Sequence, residues 1–260
     1  VGEPAAWPFA AAGAVLQATP ATLEARVAAA RSGDTVRLAP GAYIAPMMRR
    51  VSGITLDARG ATVEQLVLRG ASDVKIVGGS WRTGCPANSE AEKRGCPKIA
   101  LSVVGGKNVS VQGAAFEGPG GIADGSGVFV QGGAGVQITE TTFEGLAKGI
   151  RFRLVDGFAA KRIECANQRV DCITIASSWN GLIEDVRCRG TKVTSNEHPD
   201  CVQAWSRANA RPTSDIVVRR LHVTDDTQGV GFFNHRRIYK AGTKLADGTV
   251  LAADTQLDDG

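Results

Sequence analysis

Apolar positions recur along this chain in a pattern that fits neither a helix nor a plain hairpin. One nine-residue pattern returns five times: NVSVQGAAF (108–116), GVQITETTF (135–143), GFAAKRIEC (157–165), NGLIEDVRC (180–188) and DIVVRRLHV (215–223). In each copy the second, fourth, seventh and ninth residues are mostly apolar or small. That is period two, a one-residue kink, then period two again. The ninth position forms a column of Phe116, Phe143, Cys165, Cys188 and Val223, the expected core ladder. A second strand follows each copy: SGVFVQG (126–132), KGIRFRL (148–154), DCITIAS (171–177), DCVQAWS (200–206) and QGVGFFN (228–234). Its third and fifth residues are apolar and face inward. Its fourth residues (Phe129, Arg151, Thr174, Gln203, Gly231) and sixth residues (Gln131, Arg153, Ala176, Trp205, Phe233) face outward. Two registers that agree over five copies, at a loose period of roughly 20 to 35 residues, predict an all-β, single-stranded right-handed parallel β-helix.

One helix is predicted, near the start. Thr19 is placed to cap it, Pro20 sits in its first turn, Leu23, Val27 and Ala30 share one face, and Gly33-Asp34 ends it. TVRLAPGAY then reads as strand, turn and strand. A solenoid must cover the apolar end of its first coil, and a capping helix does so. Helix followed by GDTVRLAPGAY resembles the amino-terminal cap of the pectate-lyase-like β-helix superfamily, which implies the same fold for this chain. The predicted organisation is one β-helix domain over 1–260, with the cap and first coil at about 15–45, stacked coils over 50–235 and a carboxy-terminal segment at 236–260. The tail LADGTVLAADTQLDDG has no pattern that caps a last coil, which leaves open that the chain is incomplete there.

Composition agrees with many short strands and tight turns: 32 Gly against 8 Phe, 4 Trp and 2 Tyr. No run approaches the roughly 20 apolar residues of a membrane span, so no membrane insertion is expected. A net charge of +4 is mild. It predicts no nucleic-acid partner and suits an anionic ligand only where positive charges cluster. A monomer is expected. Cys85 and Cys96 bracket the polar stretch CPANSEAEKRGC, which a disulfide would staple. That, with a start at Val1 and no Met, predicts a secreted or periplasmic protein. Cys165/Cys188 and Cys172/Cys201 fall at equivalent positions on adjacent rungs. Small apolar packing is the first expectation there, with a disulfide in either pair as the alternative.

The first position of the second strand reads Ser126, Lys148, Asp171, Asp200, Gln228 up the stack. With strands about 4.8 Å apart, Asp171 and Asp200 should sit one rung from each other, and carboxylates that close repel. Such a column predicts either a catalytic pair or a cation site, with Ca2+ the candidate ion for Asp171 and Asp200. Strict alternation would turn the column inward. The preceding turn breaks alternation, so the column is placed outward. The connection ahead of it is longest before Asp200 and long before Ser126, and variable turns on a constant scaffold are where a solenoid builds its groove.

VDCITIAS and PDCVQAWS are similar to the aspartate-bearing strand of polygalacturonase-type β-helix glycosidases. That resemblance implies Asp171 and Asp200 as an acid–base pair. Those enzymes also carry a Gly-His-Gly and an Arg-Ile-Lys strand, where this chain has QGVGF and Arg237-Ile238-Tyr239-Lys240. His198-Pro199-Asp200 resembles, in another order, the Asp-Pro-His motif of alginate C5-epimerases.

The cations favour a different reaction. Arg151 and Arg153 project from the rung of Lys148, His198 precedes Asp200 in the longest turn, and His235-Arg236-Arg237 follows the last strand. β-Elimination of a uronate needs a cation to neutralise its carboxylate and a Lys, Arg, His or Tyr to remove the C5 proton. The leading expectation is therefore an exported lyase acting on an anionic, uronate-containing polysaccharide. Lys148, Arg151, His198 and Arg236 supply neutraliser and base, and Asp171 and Asp200 bind metal or accept hydrogen bonds. Arg153, Gln203, Trp205, Phe233 and His235 contact the sugar, the aromatics by stacking. The alternatives are a glycoside hydrolase using Asp171 and Asp200, and a non-catalytic carbohydrate-binding β-helix.

Overall fold

Two inward registers per coil leave the chain one economical arrangement, in which each coil lies on the previous one and equivalent residues stack. The computed structural model has this arrangement, and it describes residues 13–44, 46–83, 97–119, 125–192, 198–206, 210–225, 227–234, 237–244, 249–253 and 255–257. Pairing is parallel at every step of the stack. Leu56 lies beside Val36, 20 residues earlier, and Leu101 beside Leu66, 35 residues earlier, so coil length varies while register does not. The fold is a right-handed parallel β-helix. Crossover connections between parallel strands take that hand almost without exception. Arg237–Tyr239 and Thr255–Leu257 form a separate antiparallel pair, so the Arg-Ile-Tyr-Lys stretch does not continue the stack as an Arg-Ile-Lys strand would.

The helix runs Leu23–Ala29. It starts later than the sequence predicts: Thr19 and Pro20 belong to a turn in which the Thr22 N–H donates to the Thr19 carbonyl (3.0 Å), and no side chain caps the first turn. The predicted face is the right one, since Leu23 is buried and Val27 and Ala30 pack on the core. No helix among the described residues is long and apolar enough to cross a membrane.

The front sheet is built from 126–131 and the strands Lys148–Arg153, Asp171–Ala176, Asp200–Ser206 and Gln228–Asn234. Their registers join Lys148 to Asp171, Arg151 to Thr174 to Gln203 to Gly231, and Arg153 to Ala176 to Trp205 to Phe233. The nine-residue pattern supplies the other two sheets. Its kink is a residue in the left-handed region in each copy: Gly113, Glu140, Arg162, Asp185 and Arg220, with φ between 53° and 66°. That conformation rotates the second half of the strand so that both halves keep their apolar residues inside. It is costly for residues other than glycine. Ion pairs up this column, Arg162–Glu140 (2.8 Å) and Arg220–Asp185 (2.5 Å), oppose that cost.

Inside, the ninth-position column stacks as predicted. Trp81 lies on Phe116 and Phe116 on Phe143, with centroids 5.5 and 5.0 Å apart. Cys165 and Cys188 continue the column. Facing it is the second position of the front strands: Gly127, Gly149, Cys172, Cys201. A Cβ on Gly127 would meet the Phe143 ring at 2.6 Å. Where the column holds a phenylalanine the facing position has no side chain, and where it holds a cysteine the facing position is a cysteine. The disulfides accordingly run across the coil, Cys165–Cys172 and Cys188–Cys201, each with Cα atoms 5.7 Å apart. This corrects the expectation of simple packing or of bonds between rungs. Rung neighbours stack, but the sulfurs meet across the coil's interior. Cys85 and Cys96 lie outside the described residues.

Candidate functional site

Two inward residues in a row decide which way the aspartates point. Cys172 and Ile173 are both buried in the core, and so are Cys201 and Val202. Two successive inward residues break the alternation, so the residues on either side of them share a face. Asp171 therefore lies beside Thr174, whose Oγ1 donates to Asp171 Oδ2 (3.1 Å). Asp200 lies beside Gln203, whose Nε2 donates to Asp200 Oδ2 (3.1 Å). The column is on the outer side of the strand, as its turn suggested, yet both aspartates are 0% exposed. Neither carboxylate forms the floor of an open groove; each is roofed by the next rung.

Their environments differ. Asp171 is saturated: Lys148 Nζ lies 2.9 Å from Oδ2, Thr174 donates to the same oxygen, and the Asp200 N–H donates to Oδ1 (3.3 Å). Lys148 is thereby tied to a buried partner. Asp200 keeps Oδ1 buried without a hydrogen-bond partner, while Oδ2 receives Gln203 and has His198 Nδ1 3.5 Å away. Burial pushes the Asp200 carboxyl above the ordinary aspartate range, the Gln203 and His198 contacts lower it, and the Asp171 charge raises it further. Over Asp200 the next rung presents Gly231. A Cβ there would lie 2.8 and 2.9 Å from the two Asp200 oxygens and 2.8 Å from Phe233 Cε2. Glycine is needed at this position for space.

His198 is half exposed, and its ring lies 5.2 Å from that of Phe233. Phe233 is 39% exposed and stands over Trp205, which is half-buried. The upper rungs thus offer an aromatic edge with a histidine held between Phe233 and a buried aspartate.

The rung below Asp171 carries three cations, Lys148, Arg151 and Arg153. Arg151 sits over the Phe129 ring, with Cζ 4.8 Å from the centroid. Burial lowers its proton affinity, the like charge of Arg153 lowers it further, and Asp171 opposes both. Arg153 Nε is buried with no acceptor. An unpaired buried donor beside a second guanidinium, with the nearest carboxylate already neutralised by Lys148, is an arrangement suited to an anion.

The structure therefore brings Lys148, Arg151, Arg153, Asp171, His198, Asp200, Gln203, Trp205 and Phe233 onto one face. His235 and Arg236 lie outside the described residues. Calcium between Asp171 and Asp200 does not fit, because Asp171 has Lys148 where an ion would stand and its other oxygen already accepts a backbone N–H. Among the described residues the only cluster of three potential ligands is Cys165, Cys172 and Cys188, all committed to disulfides. Sequence reading misses Gly231 and Thr174. Gly231 is visible there only as the one position in its outward column with no side chain.

A concavity of about 900 Å³ opens at the strand kinks, away from this face, and includes His222. Its lining includes the paired charges Glu140–Arg162 and Asp185–Arg220 together with Glu164 and Arg187.

No protein-family model matches the chain, and no curated protein matches it. Among solved structures it is similar to an alginate lyase from Paenibacillus sp. str. FPU-7 (12% identity, 80% of this chain and 99% of that one, TM-score 0.44). It is also similar to pectate lyase C from Erwinia chrysanthemi, solved at pH 9.5 with 30 mM Ca2+ (12%, 83% and 81%, TM-score 0.47). A polygalacturonase from Erwinia carotovora ssp. carotovora aligns at 11% identity over 90% of this chain and 98% of that one, with a TM-score of 0.39. Scores of this size carry no argument about activity. The strand register establishes the fold, and the front face has to speak for its own chemistry.

Proposed function

We propose that the protein is a polysaccharide lyase that cleaves a uronate-containing polymer by β-elimination on the front face. The observation that carries this reading is the Arg151–Arg153 pair: two adjacent outward guanidiniums, one with lowered proton affinity and the other with an unpaired buried N–H. Arg153 binds the uronate carboxylate and makes the C5–H more acidic. Arg151, in the neutral form that its burial and the Arg153 charge favour, takes that proton and later returns it to solvent; the C5–H electron pair becomes the C4–C5 double bond, and the bond from C4 to the glycosidic oxygen breaks. His198, held by Asp200, gives its proton to the departing oxygen and regains one from solvent. Lys148 and Asp171 form a buried ion pair that ties the Arg151–Arg153 rung to the one above it. We read the stack as one domain acting outside the cytoplasm as a monomer, consistent with its two cross-coil disulfides.

One observation favours a second reading. Asp200, with its raised proton affinity one rung from Asp171, has the character of a general acid in a glycoside hydrolase. Incubation with acidic polysaccharides separates the two. Ultraviolet absorbance from unsaturated ends marks elimination; reducing ends without that absorbance mark hydrolysis and overturn the lyase reading. Binding with neither product leaves only a carbohydrate-binding module.

A further inference from the structure

The strand Gln228–Asn234 meets the His198 segment at several points. The Gln228 N–H donates to the Pro199 carbonyl (2.9 Å), which fixes the main chain directly after His198. Pro199 is buried, and a proline restricts the residue before it to extended backbone, so the imidazole stands on a constrained stem. From the same strand the Phe233 ring lies 5.2 Å from the imidazole, tilted by 32°. The other group against the imidazole is the Asp200 carboxylate, 3.5 Å from Nδ1.

Both of these side chains come together at Gly231. A Cβ there would lie 2.8 and 2.9 Å from Asp200 Oδ2 and Oδ1, and 2.8 Å from Phe233 Cε2. Close-packed atoms do not approach so near, so any side chain at 231 displaces the carboxylate, the ring or both. The requirement is for space alone. Gly231 is not among the glycines with positive φ, so alanine can adopt its backbone without strain. Gly229, two residues earlier in the same strand, supplies the contrast: a Cβ there meets no atom of the described residues within 4 Å.

We infer that Gly231 is a positioning residue for His198: by leaving room for the Asp200 carboxylate and the Phe233 ring at once, it keeps the imidazole held between them. This rests on the elimination reading for what His198 does, but not for where it is held. Such a residue acts on turnover more than on binding. A proton donor displaced by about 1 Å can lose on the order of a hundredfold in rate, while the groups that grip the substrate stay in place.

The test compares Gly231→Ala with Gly229→Ala in the full chain. Only three histidines are present, so the His198 ring signals in a proton NMR spectrum are identified by their loss in His198→Ala. Without any substrate, Gly231→Ala should move those signals, because the ring and the carboxylate beside them have moved, and should leave His222 unchanged. Gly229→Ala should move neither. On the cleaved polymer, Gly231→Ala should lower kcat about ten- to a hundredfold with KM within about threefold of the parent value, and Gly229→Ala should keep the parent kcat. Phe233→Leu leaves Gly231 and its strand intact and should also move the His198 signals, which decides the matter if Gly231→Ala does not fold. His198 signals that stay in place in folded Gly231→Ala or in Phe233→Leu overturn the inference, as does an equal loss of kcat in Gly229→Ala. The elimination reading fails separately, if the unsubstituted protein produces no unsaturated ends from a polymer that binds, and the NMR comparison stands without it.

Discussion

Asp57 and Asp200 are both buried aspartates on outward positions of the same kind of coil, and their surroundings could hardly differ more. In the amino-terminal coils Asp57 is gripped by Arg37 (3.1 Å) and by Arg59 through two bonds of 2.8 Å. The Arg59 hydrogen bond is the main reason that its carboxyl falls to about 2, with burial opposing and Arg37 assisting. In the central coils Asp200 has one amide donor, a half-exposed histidine, a like charge one rung below and an oxygen with no partner. The contrast teaches that burial alone does not mark a functional carboxylate. A structural aspartate is surrounded by enough donors to keep its charge; a candidate site leaves the charge partly unmet, and the fold absorbs the cost.

The largest effect that would sharpen this contrast is on turnover. Arg151→Met and His198→Ala should each lower kcat by about 10²- to 10⁴-fold on the cleaved polymer, with melting temperatures close to that of the parent. Steady-state kinetics beside calorimetry checks it, and full activity in either variant removes that residue from the reaction. Next comes the scaffold under the site. Cys188→Ala/Cys201→Ala releases a 13-residue separation and should cost about 3 kcal/mol of unfolding free energy. The turn carrying His198 is loosened at the same time, so activity should fall even well below the melting temperature.

Asp57→Asn should cost about 2 kcal/mol at neutral pH, from a depression of nearly two pKa units. Because the folded value is the lower one, this stabilisation is present above the unfolded aspartate value and is lost as pH falls from about 4 toward about 2. Parent and variant should therefore converge in acid, which melting curves across that window would detect. The smallest effect has the opposite sign. The folded Asp200 value is raised, so its contribution is most favourable at pH below the unfolded value and is lost as pH climbs through the folded one. Asp200→Asn should accordingly leave stability at neutral pH unchanged or higher by up to about 1 kcal/mol, while kcat falls. If Asp200→Asn destabilises as Asp57→Asn does, the two aspartates are alike and the comparison collapses.

Much of the front face is legible in the amino-acid sequence. The columns of Arg151, Thr174, Gln203 and Gly231, and of Arg153, Ala176, Trp205 and Phe233, follow from period two and a constant register. Position in a strand, however, does not say what covers a side chain. The burial of Asp171 depends on the Lys148 side chain and the Asp200 backbone, which reach it from adjacent coils. Local pattern misplaces the helix start for a related reason. Thr19 bonds to Thr22 in a tight turn, using the hydroxyls that pattern alone assigns to a cap.

What the sequence by itself determined is the stack: the inward residues, their order and which residues share a rung, because side-chain periodicity is a property of the strand alone. Tertiary structure decided the rest. It paired Cys165 with Cys172 and Cys188 with Cys201 across the coil, beneath the column that holds both aspartates. It then placed Gly231 over Asp200 and Lys148 against Asp171, giving one carboxylate a full set of partners and the other an oxygen with none. Such differences arise between coils 23 to 29 residues apart in the chain, at distances of a few ångströms that no local pattern encodes.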